Sequence, residues 1–166
     1  MKLRTELEST PFCQRIEAGE PVFLVGSCFT EHIGQWLTDC WLPVCSNPWG
    51  VLFNPASIAK SLMRAQQDAP YFPPVARNGD LYCSFDHHGS FSNCDETSFL
   101  QGIEDAETQA REAFRQARHI VVTWGTAWVF ERKGEIVANC HKFPASDFTR
   151  RRLTVPEITD LWTPIL

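Results

Sequence analysis

Residues 21–37, PVFLVGSCFTEHIGQWL, are the stretch on which the fold turns. Val22, Phe23, Leu24 and Val25 form an unbroken apolar run of the kind that fills a buried parallel strand. Gly26 ends it. Beyond Ser27, the residues Phe29, Ile33, Trp36 and Leu37 recur at helical spacing, which predicts an amphipathic helix buried on that face, with Glu31 well placed in its first turn. Ser27 therefore falls between strand and helix. In an open α/β sheet that place is the carboxyl edge of a strand, where ligands bind and where the N–H groups of the next helix turn face an anion. Two roles are open to its hydroxyl: it caps the helix, or it stands exposed to solvent as a nucleophile.

Working outward, residues 1–20 are polar, with Pro11 and Gly19, and read as an arm that packs a few side chains such as Phe12 and Ile16. The domain proper runs from residue 21 to 166. Leu42 to Cys45 is a second short strand, and Asn47-Pro48-Trp49-Gly50 reads as a loop, since proline disfavours helical geometry before it. Asn54-Pro55 opens a helix to about Gln67 that buries Ile58, Ala59, Leu62 and Ala65. Tyr71 to Asn93 reads as irregular apart from a strand at Leu81–Phe85, and it carries Asp86, His87 and His88. A long helix follows from about Asp95 to Arg118, with Phe99, Ile103, Ala106, Ala110, Ala113, Phe114 and Ala117 facing inward. His119 to Thr123 repeats the strand-then-glycine logic at Gly125 and is expected beside the first strand. Lys133-Gly134 marks a hairpin between Val129–Arg132 and Glu135–Asn139, a small antiparallel excursion from the parallel sheet. Residues from Pro144 read as loop until a helix begins near Val155 and Pro156.

Composition narrows the function. A hydrophobic share of 43% against 21% charged is that of a globular domain, and a net charge of −5 argues against a general nucleic-acid or anionic-membrane surface. Seven cysteines without a repeated C-x-x-C imply neither a disulfide framework nor a zinc ribbon, and reduced thiols fit a cytoplasmic protein. Cys83, His87, His88, Cys94, Cys140 and His141 match none of the usual zinc spacings. Neither a signal sequence nor a membrane span is legible, and no metal or other cofactor is expected.

The Gly26-Ser27-Cys28-Phe29-Thr30 segment resembles the G-S-C-F-A signature of the GSCFA family, a group similar to the SGNH (GDSL-type) hydrolases and acyltransferases. Four more segments match that pattern in order: residues 47–55, NPWGVLFNP; Asp86-His87-His88-Gly89; residues 123–129, TWGTAWV; and residues 139–144, NCHKFP. The resemblance implies a flavodoxin-like, three-layer α/β/α (SGNH-hydrolase-like) fold, with Ser27 attacking an ester or acyl carbonyl of a small-molecule or carbohydrate substrate. It also implies an oxyanion hole from the N–H groups of Ser27 and Gly50. Where SGNH proteins place an asparagine, in G-x-N-D, this chain has Gly125-Thr126-Ala127-Trp128, so Asn139 is the candidate replacement.

The catalytic base is the gap. The D-x-x-H segment that the resemblance places last is not among these 166 residues, which implies a family domain cut short, with apolar surface left open to self-association. Of the five histidines, His32 and His119 read as surface and local structural residues, while His141 and the pair His87 and His88 are candidate bases or pocket residues. Each is equally readable as a histidine that orders a loop. Cys28 either gains thiolate character at the helix start or packs under the sheet. A non-catalytic carbohydrate- or acyl-binding relative is the alternative function, and the presence or absence of a base beside Ser27 discriminates the two.

Overall fold

The structure is a computed structural model that describes residues 15–166. The expected packing of Phe12 falls outside those residues, and Ile16 is exposed.

Three parallel strands make the central sheet: β1 (Val22–Gly26) lies between β2 (Val44–Ser46) and β5 (His119–Thr123). Every residue of β1 is buried, because helices cover both of its faces. Val22 and Leu24 point to one side, against Leu37 and Ile33 of helix α1 (Cys28–Asp39). Phe23 and Val25 point to the other, into a core built with helices α2 (Pro55–Gln66), α3 (Glu96–Gln116) and α4 (Val155–Trp162). Phe23 there meets Trp49 and Phe114 edge-on at 5.9 and 5.6 Å between ring centres.

Helix α1 departs from its expected face. Thr30, Gly34 and Leu37 are its buried residues, whereas Phe29 and Trp36 are 59% and 62% exposed. The spacing is the expected one displaced by one residue. Close approach to β2 sets it: a Cβ on Gly34 would lie 2.6 Å from Ser46 Oγ, so only glycine lets the helix sit this near the strand.

Helix α2 buries Ile58, Ala59, Leu62 and Ala65 as read, with Asn54 Oδ1 accepting the Ser57 N–H at its start. Residues 71–93 are more regular than expected. β3 (Val75–Asn78) and β4 (Leu81–Ser84) pair as a hairpin around Gly79-Asp80, followed by a single helical turn at Gly89–Phe91. The second excursion, β6 (Trp128–Arg132) with β7 (Glu135–Val137), gains a third strand, β8 (Thr149–Arg152), from residues read as loop. Arg150 stacks on Trp128 at 4.2 Å from its ring centre, which lets an arginine-rich segment serve as a strand.

Truncating Phe23 to alanine should lower unfolding free energy by about 3–5 kcal/mol, the cost of deleting a buried aromatic side chain. Phe29→Ala should change it by less than about 0.5 kcal/mol, as befits an exposed position. Urea titration of both variants checks this; a large loss from Phe29→Ala would restore the face expected from hydropathy alone.

Candidate functional site

Gly26 closes β1 under constraint from both neighbours. Its N–H donates to Asn47 Oδ1 at 2.8 Å and its carbonyl accepts the Leu52 N–H at 2.9 Å. At φ 147° its missing side chain faces the Thr123 carbonyl, so any Cβ would collide with the β5 backbone. Ser27 follows as the N-cap of α1 at the carboxyl end of the central strand, yet its hydroxyl makes no capping bond. Ser27 Oγ instead lies 3.1 Å from Thr123 Oγ1, which also accepts the Ser27 N–H at 3.1 Å and bonds the Thr30 hydroxyl. Thr30 occupies the one position of the five-residue signature that departs from the family pattern.

The open serine expected from the sequence is a nearly covered one: Ser27 is 8% exposed. Gly125 and Phe53 pack beside it, with a Cβ on Gly125 falling 3.3 Å from Ser27 Cβ and 3.0 Å from the Phe53 ring. Cys28 is exposed, not packed under the sheet. The backbone donors expected for an oxyanion are engaged. Ser27 N–H is shared between the Thr123 carbonyl and hydroxyl, Gly50 N–H donates to the Asn47 carbonyl at 2.7 Å, and Gly125 N–H donates to the Phe53 carbonyl at 2.8 Å. A cavity of about 500 Å³ between α2, α4 and the β6–β7 hairpin is lined by Lys60, Arg64, Glu131 and Arg151, and Ser27 is not among its walls.

The histidines gather elsewhere. His88 lies over Gly50 and caps the turn at Gly89–Phe91 through Nδ1, which accepts the Ser90 N–H at 3.2 Å. His87 is fully buried, with Nδ1 3.0 Å from Ser84 Oγ and Nε2 3.3 Å from Glu107 Oε1. His141 Nε2 is 2.6 Å from the Ser84 carbonyl, and its N–H donates to Asn139 Oδ1 at 2.8 Å, so Asn139 bonds within the histidine group. His119 Nε2 pairs with the Glu20 carboxylate at 2.6 Å and His32 is exposed on α1. Among the described residues no histidine or carboxylate hydrogen-bonds to Ser27, and no group of three His, Cys, Asp or Glu side chains could hold a metal ion.

Burial and pairing set the charge states. Burial pushes the His87 pKa below the ordinary 6.5, against the pull of Glu107 and helped by the nearby Arg64 cation. Burial would raise Glu107, but His87 and the Arg64 guanidinium, 2.9 Å away, hold it below the usual carboxylate value. Burial would likewise raise Asp86, and Lys60 at 2.7 Å together with the Tyr71 hydroxyl more than offset it.

Two residues of the site were missed in the sequence. Thr123 opens one of the family segments, but attention there falls naturally on Gly125. Asn47 adopts φ 46° before Pro48, and its buried Nδ2 has no hydrogen-bond partner among the described residues while Oδ1 holds Gly26.

Fold and site together define a mixed α/β protein built on a parallel sheet, with a serine at the carboxyl end of its central strand. The model of the GSCFA family matches residues 21–166, and the chain belongs to the GSCFA family. No curated protein and no solved structure matches it. Among the described residues no helix is long and apolar enough to cross a membrane.

Acid should destabilise this protein early. The folded pKa of His87 lies below the unfolded 6.5, as does that of His141, so the unfolded chain takes up protons first and stability falls as pH drops below about 6.5. Asp86 and Glu107, both lowered, add a second loss at pH values below their unfolded values of 3.8 and 4.5. Thermal unfolding across this range checks the order, and His87→Gln should make the first decline shallower. Equal stability at about pH 7 and pH 5 would contradict the assignment of neutral buried imidazoles.

Proposed function

We propose that this chain is an SGNH-like acyl-ester domain in which Ser27 is the group that attacks the acyl carbonyl. The observation that carries the reading is that Ser27 Oγ, at the carboxyl end of the central parallel strand, is not spent on capping α1. The order β2-β1-β5 with helices on both faces supports a flavodoxin-like sheet, in which that edge is the ligand edge. Oxyanion donors would come from the N–H groups of Cys28 and Phe29 at the start of α1, the Thr30 N–H being held by the Ser27 carbonyl. The substrate class is a small-molecule or carbohydrate ester. Ile120 and Trp124, half-exposed along β5 and just beyond it, support self-association at that edge of the sheet.

A second reading rests on a specific observation. Among the described residues Ser27 Oγ hydrogen-bonds only to the Thr123 hydroxyl, and a hydroxyl is no general base at neutral pH. A binding relative that holds a carbohydrate or acyl group without cleaving it fits that environment.

Acylation of Ser27 by p-nitrophenyl acetate, mapped by mass spectrometry, separates the two. A positioned base typically contributes about 10²–10⁴-fold, so an acetyl group should form on Ser27 slowly. No acetyl group on Ser27 after prolonged exposure would end the nucleophile assignment and favour the binding reading.

A further inference from the structure

A second serine stands beside a histidine on the far side of the His88 loop. Ser92 Oγ is 3.5 Å from His141 Nδ1, the outer limit of hydrogen-bond reach and ordinary for a catalytic pair without substrate. The other ring nitrogen fixes the tautomer. The Ser84 carbonyl, 2.6 Å from Nε2, can only accept, so Nε2 carries the hydrogen and Nδ1 presents its lone pair to Ser92. Burial keeps the imidazole neutral at physiological pH, in the form a base requires.

The backbone that holds this histidine is unusual. His141 and Lys142 both adopt left-handed geometry, at φ 47° and 58°. Such a turn persists only when its surroundings enforce it. Here Asn139 Oδ1 accepts the His141 N–H at 2.8 Å and Asn78 Nδ2 donates to the His141 carbonyl at 2.8 Å. With Oδ1 so used, Asn139 turns its Nδ2 hydrogens toward Gly89. Ser92, His141, Asn139, Gly89, Leu81 and Cys83 share the wall of one cavity of about 270 Å³. That volume, with two apolar side chains in the wall, suits a short acyl group and not a polymer.

We propose that Ser92 and His141 are a nucleophile–base pair for short-chain acyl esters, oriented by the Ser84 carbonyl and served by Asn139 Nδ2 as oxyanion donor. The pair is independent of Ser27. Ser92 Oγ bonds to the acyl carbon as its proton passes to His141 Nδ1. The tetrahedral oxyanion then collapses, the ester C–O bond breaks, and the alcohol leaves with that proton. Water, deprotonated by the same nitrogen, attacks the acyl-serine and releases the acid, returning the proton to Ser92.

A fluorophosphonate probe on the full chain, with the labelled residue mapped by mass spectrometry, tests this. The expected result is labelling at Ser92 in both the unaltered and Ser27→Ala proteins, its loss in Ser92→Ala, and a fall of about 100-fold or more in His141→Asn. Asparagine tolerates the left-handed backbone, so that variant should still fold cooperatively, with a lower thermal midpoint from the lost bond to the Ser84 carbonyl. The unaltered chain supplies a second readout: the Ser92 labelling rate should reach its plateau near neutral pH. No label at Ser92, labelling unchanged in a folded His141→Asn protein, or a rate still climbing well above neutral pH as for an unassisted hydroxyl would overturn the pair.

Discussion

The end of β1 has no room for a side chain, and the architecture follows from how that crowding is satisfied. Gly26 is held from the β2 side by Asn47 and Leu52 and pressed on the β5 side against Thr123. These contacts join residues about a hundred positions apart, so the loop after β2 and the loop after β5 are fixed to one another through a single glycine. Ser27 inherits its position from this clamp. Its N–H is tied to Thr123, its carbonyl accepts the Thr30 N–H at 2.9 Å to start α1, and its hydroxyl is left to one neighbouring hydroxyl.

A second constraint acts on the opposite side of the loop. Arg64, Glu107 and His87 are all but removed from solvent, and the Glu107 carboxylate stays charged there because Arg64 and His87 sit against it. Breaking such a group is costlier than never having built it, because the remaining charge stays buried. Arg64 also lies 4.4 Å over the Tyr71 ring, and Tyr71 reaches Asp86, which links α2, α3 and the Asp86-His87-His88-Gly89 segment. That segment delivers His88 onto Gly50 and Gly89 beside Asn139. The family segments therefore meet through loop packing, with the clamp at one end and the His141 turn at the other.

Local patterns were legible and long-range ones were not. The run Val22–Val25, the α2 face and the Lys133-Gly134 hairpin each rest on neighbours in sequence, and each is seen in the fold. The face of α1 was misread by one residue because hydropathy ranks Phe29 and Trp36 above Thr30 and Gly34, whereas contact with Ser46 and Thr123 decides. The strand at Leu81 was legible and Asn78-Gly79 signals the turn before it, but Pro70, Pro73 and Pro74 just upstream hid its partner β3. β8 is rich in arginine, and only Trp128 and Glu131 across the sheet explain why it pairs. Glu107 is not singled out in the α3 pattern because its partners, Arg64 and His87, lie 43 and 20 residues away. Ser27 was found because strand, glycine and helix are consecutive; Thr123 and Asn47 were not, because their roles exist only once β1, β2 and β5 are side by side.

The clamp at Gly26 is tested most directly by equilibrium unfolding of Gly26→Ala beside Gly102→Ala. Gly102 sits in α3 with none of the described residues within 4 Å of an added Cβ, so alanine there should be neutral or stabilising by about 0.5–1 kcal/mol. At Gly26 the same methyl meets the β5 backbone and imposes a left-handed φ on alanine. Gly26→Ala should lose several kcal/mol, on the order of the whole margin of a small domain, or show no cooperative transition at all. A Gly26→Ala protein as stable as Gly102→Ala would contradict the clamp.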